Sequence, residues 1–310
     1  MIGQKWMIFT VGEALSKTVA KSLQKAAGIV STTLAHAFFA TFLVGLVQAS
    51  VGFIVAKRQN RRVLDTRQNV IGACLFGLFA MAITALGFAT FVYEGDIGVS
   101  VFLITLSIIP GALIDRVFFK HPLVGRQWIG MAIGILAGYV ILGSPSLREA
   151  STLPVWVWMS IAIAVMLAIN QAITQKIQNI DPFVKNFWGG VVQVVLGGAG
   201  TLILGKGFTA SISQDRLLTL VAVSVIVGFI VVAMWTFNLF AYRGGGTIAL
   251  KKLVMNAVYL ITAMFAGIVF FQESLTSGKV FGVVLYLVSF ILFDPSTWKT
   301  VTARLKLKNA

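Results

Sequence analysis

Acidic residues are scarce in this 310-residue chain: ten Asp and Glu stand against 25 Lys and Arg, and all charged residues together make only 11% of the sequence. A soluble domain carries about 25% charged residues. So few charges cannot cover a water-facing surface of this size, so lipid must cover much of it. Cysteine is represented by Cys74 alone and histidine by His36 and His121. That excludes a disulfide framework, a CxxC redox pair and any Cys/His set with metal-ligand spacing. No GxSG, GxGD or HExxH occurs, and neither histidine has a nucleophile or metal set beside it, so no enzyme, cofactor or metal is expected. The first apolar segment is interrupted by Glu13, Lys17 and Lys21, unlike a cleaved leader, and reads as a retained helix.

Apolar length is abundant. Hydrophobic residues make up 58% of the chain and the mean hydropathy is +0.92. A bilayer core needs about 20 apolar residues of helix, and ten segments have that character: 4–22, 29–56, 69–93, 97–118, 126–143, 154–178, 183–204, 216–242, 246–271 and 277–294. The expected fold is all-α, with ten transmembrane helices. Their connections are short, leaving no room for a soluble domain.

The excess of 15 positive charges lies mostly in these connections, which suits membrane orientation better than nucleic acid. With the N-terminus inside, 15 Lys and Arg, including Lys57, Arg58, Arg61, Arg62, Lys176, Lys185 and Arg243, fall on the cytoplasmic side. Four (Arg148, Lys206, Arg216, Lys279) fall on the other. Both termini are therefore expected in the cytoplasm, and a bacterial inner membrane is the expected setting.

The chain also matches itself. VFFKHPLVGRQWIG at 117–130 aligns with VFFQESLTSGKVFG at 269–282 at a constant offset of 152, and ALSKTVAKSLQK at 14–25 aligns with AINQAITQKIQN at 168–179 at 154. Two five-helix repeats, 1–150 and 151–298, followed by a basic tail at 299–310, are expected. Five is odd, so the second copy enters the membrane inverted, a plan common among secondary transporters.

Ionisable groups inside a membrane cost from about 2.5 kcal/mol upward and need a reason. Glu13, Lys17 and Lys21 recur at i, i+4 and i+8 on one face. Lining a cavity, Lys17 or Lys21 meets an anionic group while Glu13 takes a coupling proton or restrains a lysine; otherwise Lys21 and Lys25 snorkel to the interface. In the repeat register Ser16 faces Asn170, Lys17 faces Gln171 and Lys21 faces Gln175, so one face is polar in both halves and charged in one. The eighth segment places Trp235, Asn238 and Tyr242 on one face, with Tyr242 read as an interface anchor. The ninth holds Lys251 and Lys252, of which one faces inward, with Asn256 and Tyr259 following Lys252. Gln48, Gln193 and Thr105 are expected to bond across helices, Asp115 and Arg116 to be structural, and Pro110 to kink the fourth segment.

The chain resembles the drug/metabolite transporter superfamily, in its EamA-like branch, over essentially its whole length. The resemblance is carried by Pro110 before GRQWIGMAIGILAGYVIL and by FFQESLTSGKVFGVVLYLVSFILF, in which Glu273 occupies the family's common Glu. His121 stands where the first copy usually has that Glu, and His36 lies near the family's frequent Arg. Lys251 and Lys252 are similar in place to basic ninth-helix residues that engage phosphate in nucleotide-sugar and triose-phosphate carriers. The resemblance implies a secondary carrier using alternating access. The substrate-binding residues expected are Glu13, Lys17, Lys21, Asn170, Gln171, Trp235, Asn238, Lys252, Asn256 and Tyr259, and the substrate a small metabolite bearing a carboxylate or phosphate. An exporter of amino acids or amphipathic compounds is the alternative, and a channel or non-transport membrane protein a further one. Expected partners are the substrate, membrane lipid and a coupling proton or exchanged substrate; a homodimer is left open.

Overall fold

A computed structural model describes residues 5–118, 120, 123–205, 208, 211–245, 248–293 and 298. Among these there are twelve helices and no strand: α1 Lys5–Val30, α2 Leu34–Arg58, α3 Arg67–Val92, α4 Ile97–Thr105, α5 Ile108–Phe118, α6 Gly125–Ile141, α7 Leu147–Ala150, α8 Val155–Lys176, α9 Pro182–Leu204, α10 Gln214–Arg243, α11 Ile248–Phe271 and α12 Ser277–Phe293. The one-turn α7 lies in a connection, and α4 and α5 share one span, so ten long elements remain. Seven spans are long and apolar enough to cross a membrane, the length and composition of a multi-pass membrane protein. The other three fall short for visible reasons: α1 carries the charges at 13, 17, 21 and 25, and α6 and α12 have 17 residues each.

From α3 onward every expected segment is matched to within two residues at each end. The difference is in α1, which continues to Val30 rather than stopping near 22. LQKAAGIV contains no proline, and its Ala, Leu, Gln and Lys all favour helix. Thr33 then starts α2, with the His36 ring accepting the amides of Thr32 (3.2 Å) and Thr33 (3.3 Å); His36 is a helix-start residue here. His121 lies outside the described residues. The break at Leu106–Ser107 follows from Pro110: its ring excludes the carbonyl four residues earlier, that of Leu106, from the helical ladder. The Leu106 carbonyl accepts from Ile109 instead, at 2.9 Å.

Close helix crossings replace a water-driven core. The α2–α9 pair is the tightest. A Cβ on Gly190 would lie 2.4 Å from the Ala49 amide nitrogen, and one on Gly52 2.5 Å from that of Phe187. Beside this crossing Gln48 donates to Asn186 at 2.9 Å and accepts from Gln193 at 2.5 Å, the cross-helix bonding expected of Gln48 and Gln193. Around it, α1 packs on α10 as α8 packs on α3, α1 on α11 as α8 on α4 and α5, and α6 on α12. Both ends of α12 lie 152 residues after the corresponding ends of α6. The left-handed, non-glycine turns at Lys120 (φ 57°) and Gln272 (φ 54°) share that spacing.

Candidate functional site

Glu13, Lys17, Lys21 and Lys25 climb one face of α1 at about 6 Å per step, and that face turns inward. Glu13 is completely enclosed. One of its oxygens is 2.8 Å from the Lys17 ammonium and accepts from Asn238 of α10 at 2.9 Å; the other is 2.8 Å from Lys251 of α11. A single carboxylate thus bridges two ammonium groups on different helices. Lys17 also donates to the Met255 sulfur at 2.8 Å. The Gln171 carbonyl of α8 joins the cluster, accepting from Lys251 at 3.0 Å, from Asn238 at 3.2 Å and from the Tyr242 hydroxyl. Gln171 Nε2 and Asn238 Oδ1 are buried with no hydrogen-bond partner among the described residues.

One step along α1, toward the end where α1 meets α2, a cavity of about 70 Å³ opens beside Lys17 and Lys21, with Gln24, Thr84, Trp235 and Tyr259 among its lining residues. The rest of its wall is mostly aliphatic, including Ile163, Leu167 and Val231. Lys21 is 4% exposed. Its ammonium lies 4.7 Å from the centre of the Phe91 ring and has no carboxylate within ion-pair distance among the described residues. Trp235 is held edge-on against Phe76 of α3, with ring centres 4.8 Å apart.

A fourth buried lysine enters from α9. Asp181 caps that helix, accepting from the amides of Phe183 (2.9 Å) and Val184 (3.3 Å), and Pro182 supplies its first residue. Lys185 therefore stands one turn inside, fully buried, 3.2 Å from the Thr174 hydroxyl and 3.9 Å from the centre of the Phe76 ring. Among the described residues, Lys17, Lys21, Lys185 and Lys251 are accordingly buried between the two ends of the bundle with two buried carboxylates, Glu13 and Asp115. An isolated buried charge is strongly unfavourable, so such groups pair with a counter-ion or lose their charge.

Both ends are tied. At the end holding the 31–33, 93–96 and 272–276 connections, Glu273 binds Lys25 and accepts the amides of Ile97 (2.6 Å) and Gly98 (3.1 Å) at the start of α4. Lys279 pairs with Asp96 at 2.5 Å. Partial burial pushes the Asp96 carboxyl up, but the bonds from Lys279 and the Val99 amide outweigh it and hold the group below its usual range. At the opposite end Arg243 donates to the carbonyls of Gln178 (2.9 Å), Asn179 (3.3 Å) and Ile180, and Arg61 faces Asp181 at 3.6 Å.

The structure brings Glu13, Lys17, Asn238 and Gln171 into one cluster and places Lys21, Trp235 and Tyr259 on the adjoining cavity. Asn170 and Asn256 serve elsewhere: Asn170 donates to the Phe76 carbonyl at 2.9 Å, and Asn256 donates to the Thr105 carbonyl at 2.9 Å and the Tyr286 hydroxyl at 3.1 Å. They fasten helices together. The Lys252 side chain lies outside the described residues; Lys251 is the ninth-segment lysine seen facing inward. Lys185 is not a connection residue, because α3, α8 and α10 cover it, and Tyr242 is not an interface anchor but is 3% exposed with its hydroxyl in the cluster. By sequence Lys185 reads as a connection residue because it sits within a turn of a helix start, where snorkelling is the ordinary outcome, and Lys252 is preferred to Lys251 because Asn256 and Tyr259 follow it at helical spacing.

No family model matches the chain, and no curated protein does. Solved structures do match it. One, described only as "Crystal structure of protein", has a TM-score of 0.62 at 13% sequence identity over 95% of this chain and 98% of that one, a likeness that extends to the fold of the whole chain.

Proposed function

We propose that the protein is a secondary carrier that moves a small anionic metabolite, bearing a carboxylate or phosphate, by alternating access. The observation that carries this reading is the imbalance of buried charge among the described residues: between the tied ends Lys17, Lys21, Lys185 and Lys251 stand with Glu13 and Asp115, and Lys21 lines a cavity without a carboxylate partner. A substrate anion supplies the missing counter-charge, and its apolar part rests on Ile163, Leu167, Val231 and Trp235. A cavity of about 70 Å³ is well under the roughly 300–1,000 Å³ of ordinary ligand clefts. Anything beyond a few heavy atoms requires α1 to move away from α10 and α11.

Two inverted five-helix repeats, as in the drug/metabolite transporter superfamily, EamA-like branch, complete the proposal. Supporting it are the 152-residue spacing shared by α6 and α12 and by the turns at Lys120 and Gln272, and the matched packing of α1 on α10 and α8 on α3. The tied ends are then alternating gates, Lys25–Glu273 and Lys279–Asp96 at one, Arg243 with the 178–180 carbonyls at the other. The Lys and Arg bias favours the Arg243 end in the cytoplasm of a bacterial cell. Uptake of labelled carboxylates and phosphate monoesters into proteoliposomes tests the reading: Lys17→Ala and Lys21→Ala each abolish it, and transport unchanged in both refutes it. An amphipathic-compound exporter is the second reading, favoured by Trp235 and Tyr259 on the cavity wall; resistance to an amino-acid analogue that disappears with Trp235→Ala would select it.

A further inference from the structure

We infer that Glu13 is a built-in stand-in for the substrate anion and that its displacement couples the carrier to protons, an inference that rests on the anion reading above. The Glu13 carboxylate already does what a bound carboxylate would do, bridging Lys17 and Lys251 at 2.8 Å each and taking a hydrogen bond from Asn238. The cavity ends at Lys17, so an anion held there by Lys21 is next to the same ammonium. Beside the bridge, Gln171 Nε2 is a buried donor with no partner among the described residues, available to an oxygen that Glu13 does not supply.

One seat for two anions makes them competitors. When substrate takes Lys17 and Lys251, Glu13 keeps only the Asn238 bond and becomes a bare carboxylate in a buried site, which is strongly unfavourable. A proton on Glu13 removes that penalty. Substrate and proton therefore bind together: one proton moves from the solution on the loading side to a Glu13 oxygen as the anion seats. It leaves on the other side when Glu13 closes back onto the lysines. A monovalent anion with one proton crosses without net charge.

The other titratable groups around Glu13 are few. Among the described residues they are Lys17 and Lys21 on α1, Lys251 and Tyr259 on α11, Tyr242 on α10 and Lys185 on α9, with Asp115 of α5 within electrostatic reach of Tyr242. From α8 the cluster receives Gln171, and α4 has no titratable residue. Arg67 and Cys74, the ionisable residues of α3, lie within its first eight residues. Glu13 is thus the acidic group at the seat itself.

Pyruvate, benzoate and benzenesulfonate serve as probes, since none of them titrates between about pH 6 and 8. Binding to the purified full chain is followed by calorimetry in two buffers of different ionisation enthalpy, and by infrared difference spectroscopy. Expected for any probe that binds are uptake of one proton, an affinity that weakens about tenfold per pH unit, and a new protonated-carboxyl band. In Glu13→Gln the band is absent and the affinity is flat with pH, near the wild-type value at low pH. Binding with no proton uptake and no pH dependence in the wild type overturns the coupling while leaving the anion reading standing; failure of all three probes to bind overturns both. The calorimetry and the infrared band need no variant, so they decide the matter even if Glu13→Gln fails to fold.

Discussion

Replacing Lys251 with methionine removes one of the two ammonium groups that hold Glu13 while keeping the length and much of the volume of the side chain. Breaking a buried pair by deleting one partner costs about 3–5 kcal/mol, because the remaining charge is left buried and uncompensated. Here Glu13 keeps Lys17 at 2.8 Å and Asn238 at 2.9 Å, which places the loss at the low end, about 3 kcal/mol. The Gln171 carbonyl also loses one of three donors, a smaller effect. Adding Glu13→Gln to Lys251→Met removes the stranded charge, so the double variant is expected to recover at least half of the loss. Unfolding of the purified variants in mixed detergent micelles, run as a double-mutant cycle, measures both. Lys251→Met within about 0.5 kcal/mol of wild type, or strictly additive single effects, would refute the contact and the cluster built on it.

Lys21→Met is expected to leave stability unchanged or raised, because that ammonium has no carboxylate partner among the described residues, and to weaken anion binding at least about tenfold, the scale of one charge-assisted hydrogen bond; thermal unfolding and calorimetry separate the two effects. Gly190→Leu is expected to prevent the α2–α9 crossing, since even its Cβ would lie 2.4 Å from the Ala49 amide nitrogen, whereas Gly125→Ala, with nothing within 4 Å, is expected to be neutral; size-exclusion profiles of the expressed variants show which folds. Asp96, held below its usual range by Lys279 and the Val99 amide, contributes stability that is complete above the ordinary carboxylate value of about 3.9 and is lost as pH falls through its depressed folded value. The gap in unfolding temperature between wild type and Asp96→Asn should therefore be constant above about pH 5 and close below about pH 4.

The spans were legible because each is an apolar run bounded by turn residues, and lipid demands about 20 such residues in succession. The α1 face was legible for a similar reason, since Glu13, Lys17 and Lys21 have no ordinary place in an apolar helix and share one side of it. What the chain did not disclose locally is which neighbour covers a helix end. Lys185 sits three residues after a proline-started helix begins, Lys251 three after the first described residue of α11 and Tyr242 one before the last of α10. By sequence Lys185 and Tyr242 read as connection and interface residues, and Lys251 as one of two adjacent lysines of which a single one faces inward. Lys185 is covered by α3, α8 and α10, Lys251 by α1, α8 and α10, and Tyr242 by α8 and α11, a tertiary fact with no local signature. Asn170 and Asn256 read as substrate ligands because polar groups inside a membrane are costly; in the fold each donates to a neighbouring helix's carbonyl, that of Phe76 or Thr105, which meets part of that cost. The Pro110 kink was foreseeable from covalent geometry alone, down to the carbonyl of Leu106 that it displaces.

The most direct test of anion exchange through a site that opens to one side at a time is counterflow. Proteoliposomes loaded with a high concentration of an unlabelled anion that the protein binds are diluted into a trace of the same anion, labelled. A carrier of the kind described takes up tracer to a transient excess over its equilibrium level, with a saturable initial rate, and Lys21→Met abolishes the excess. Tracer entry that rises linearly with concentration, shows no transient excess and is indifferent to the loaded anion would contradict the account.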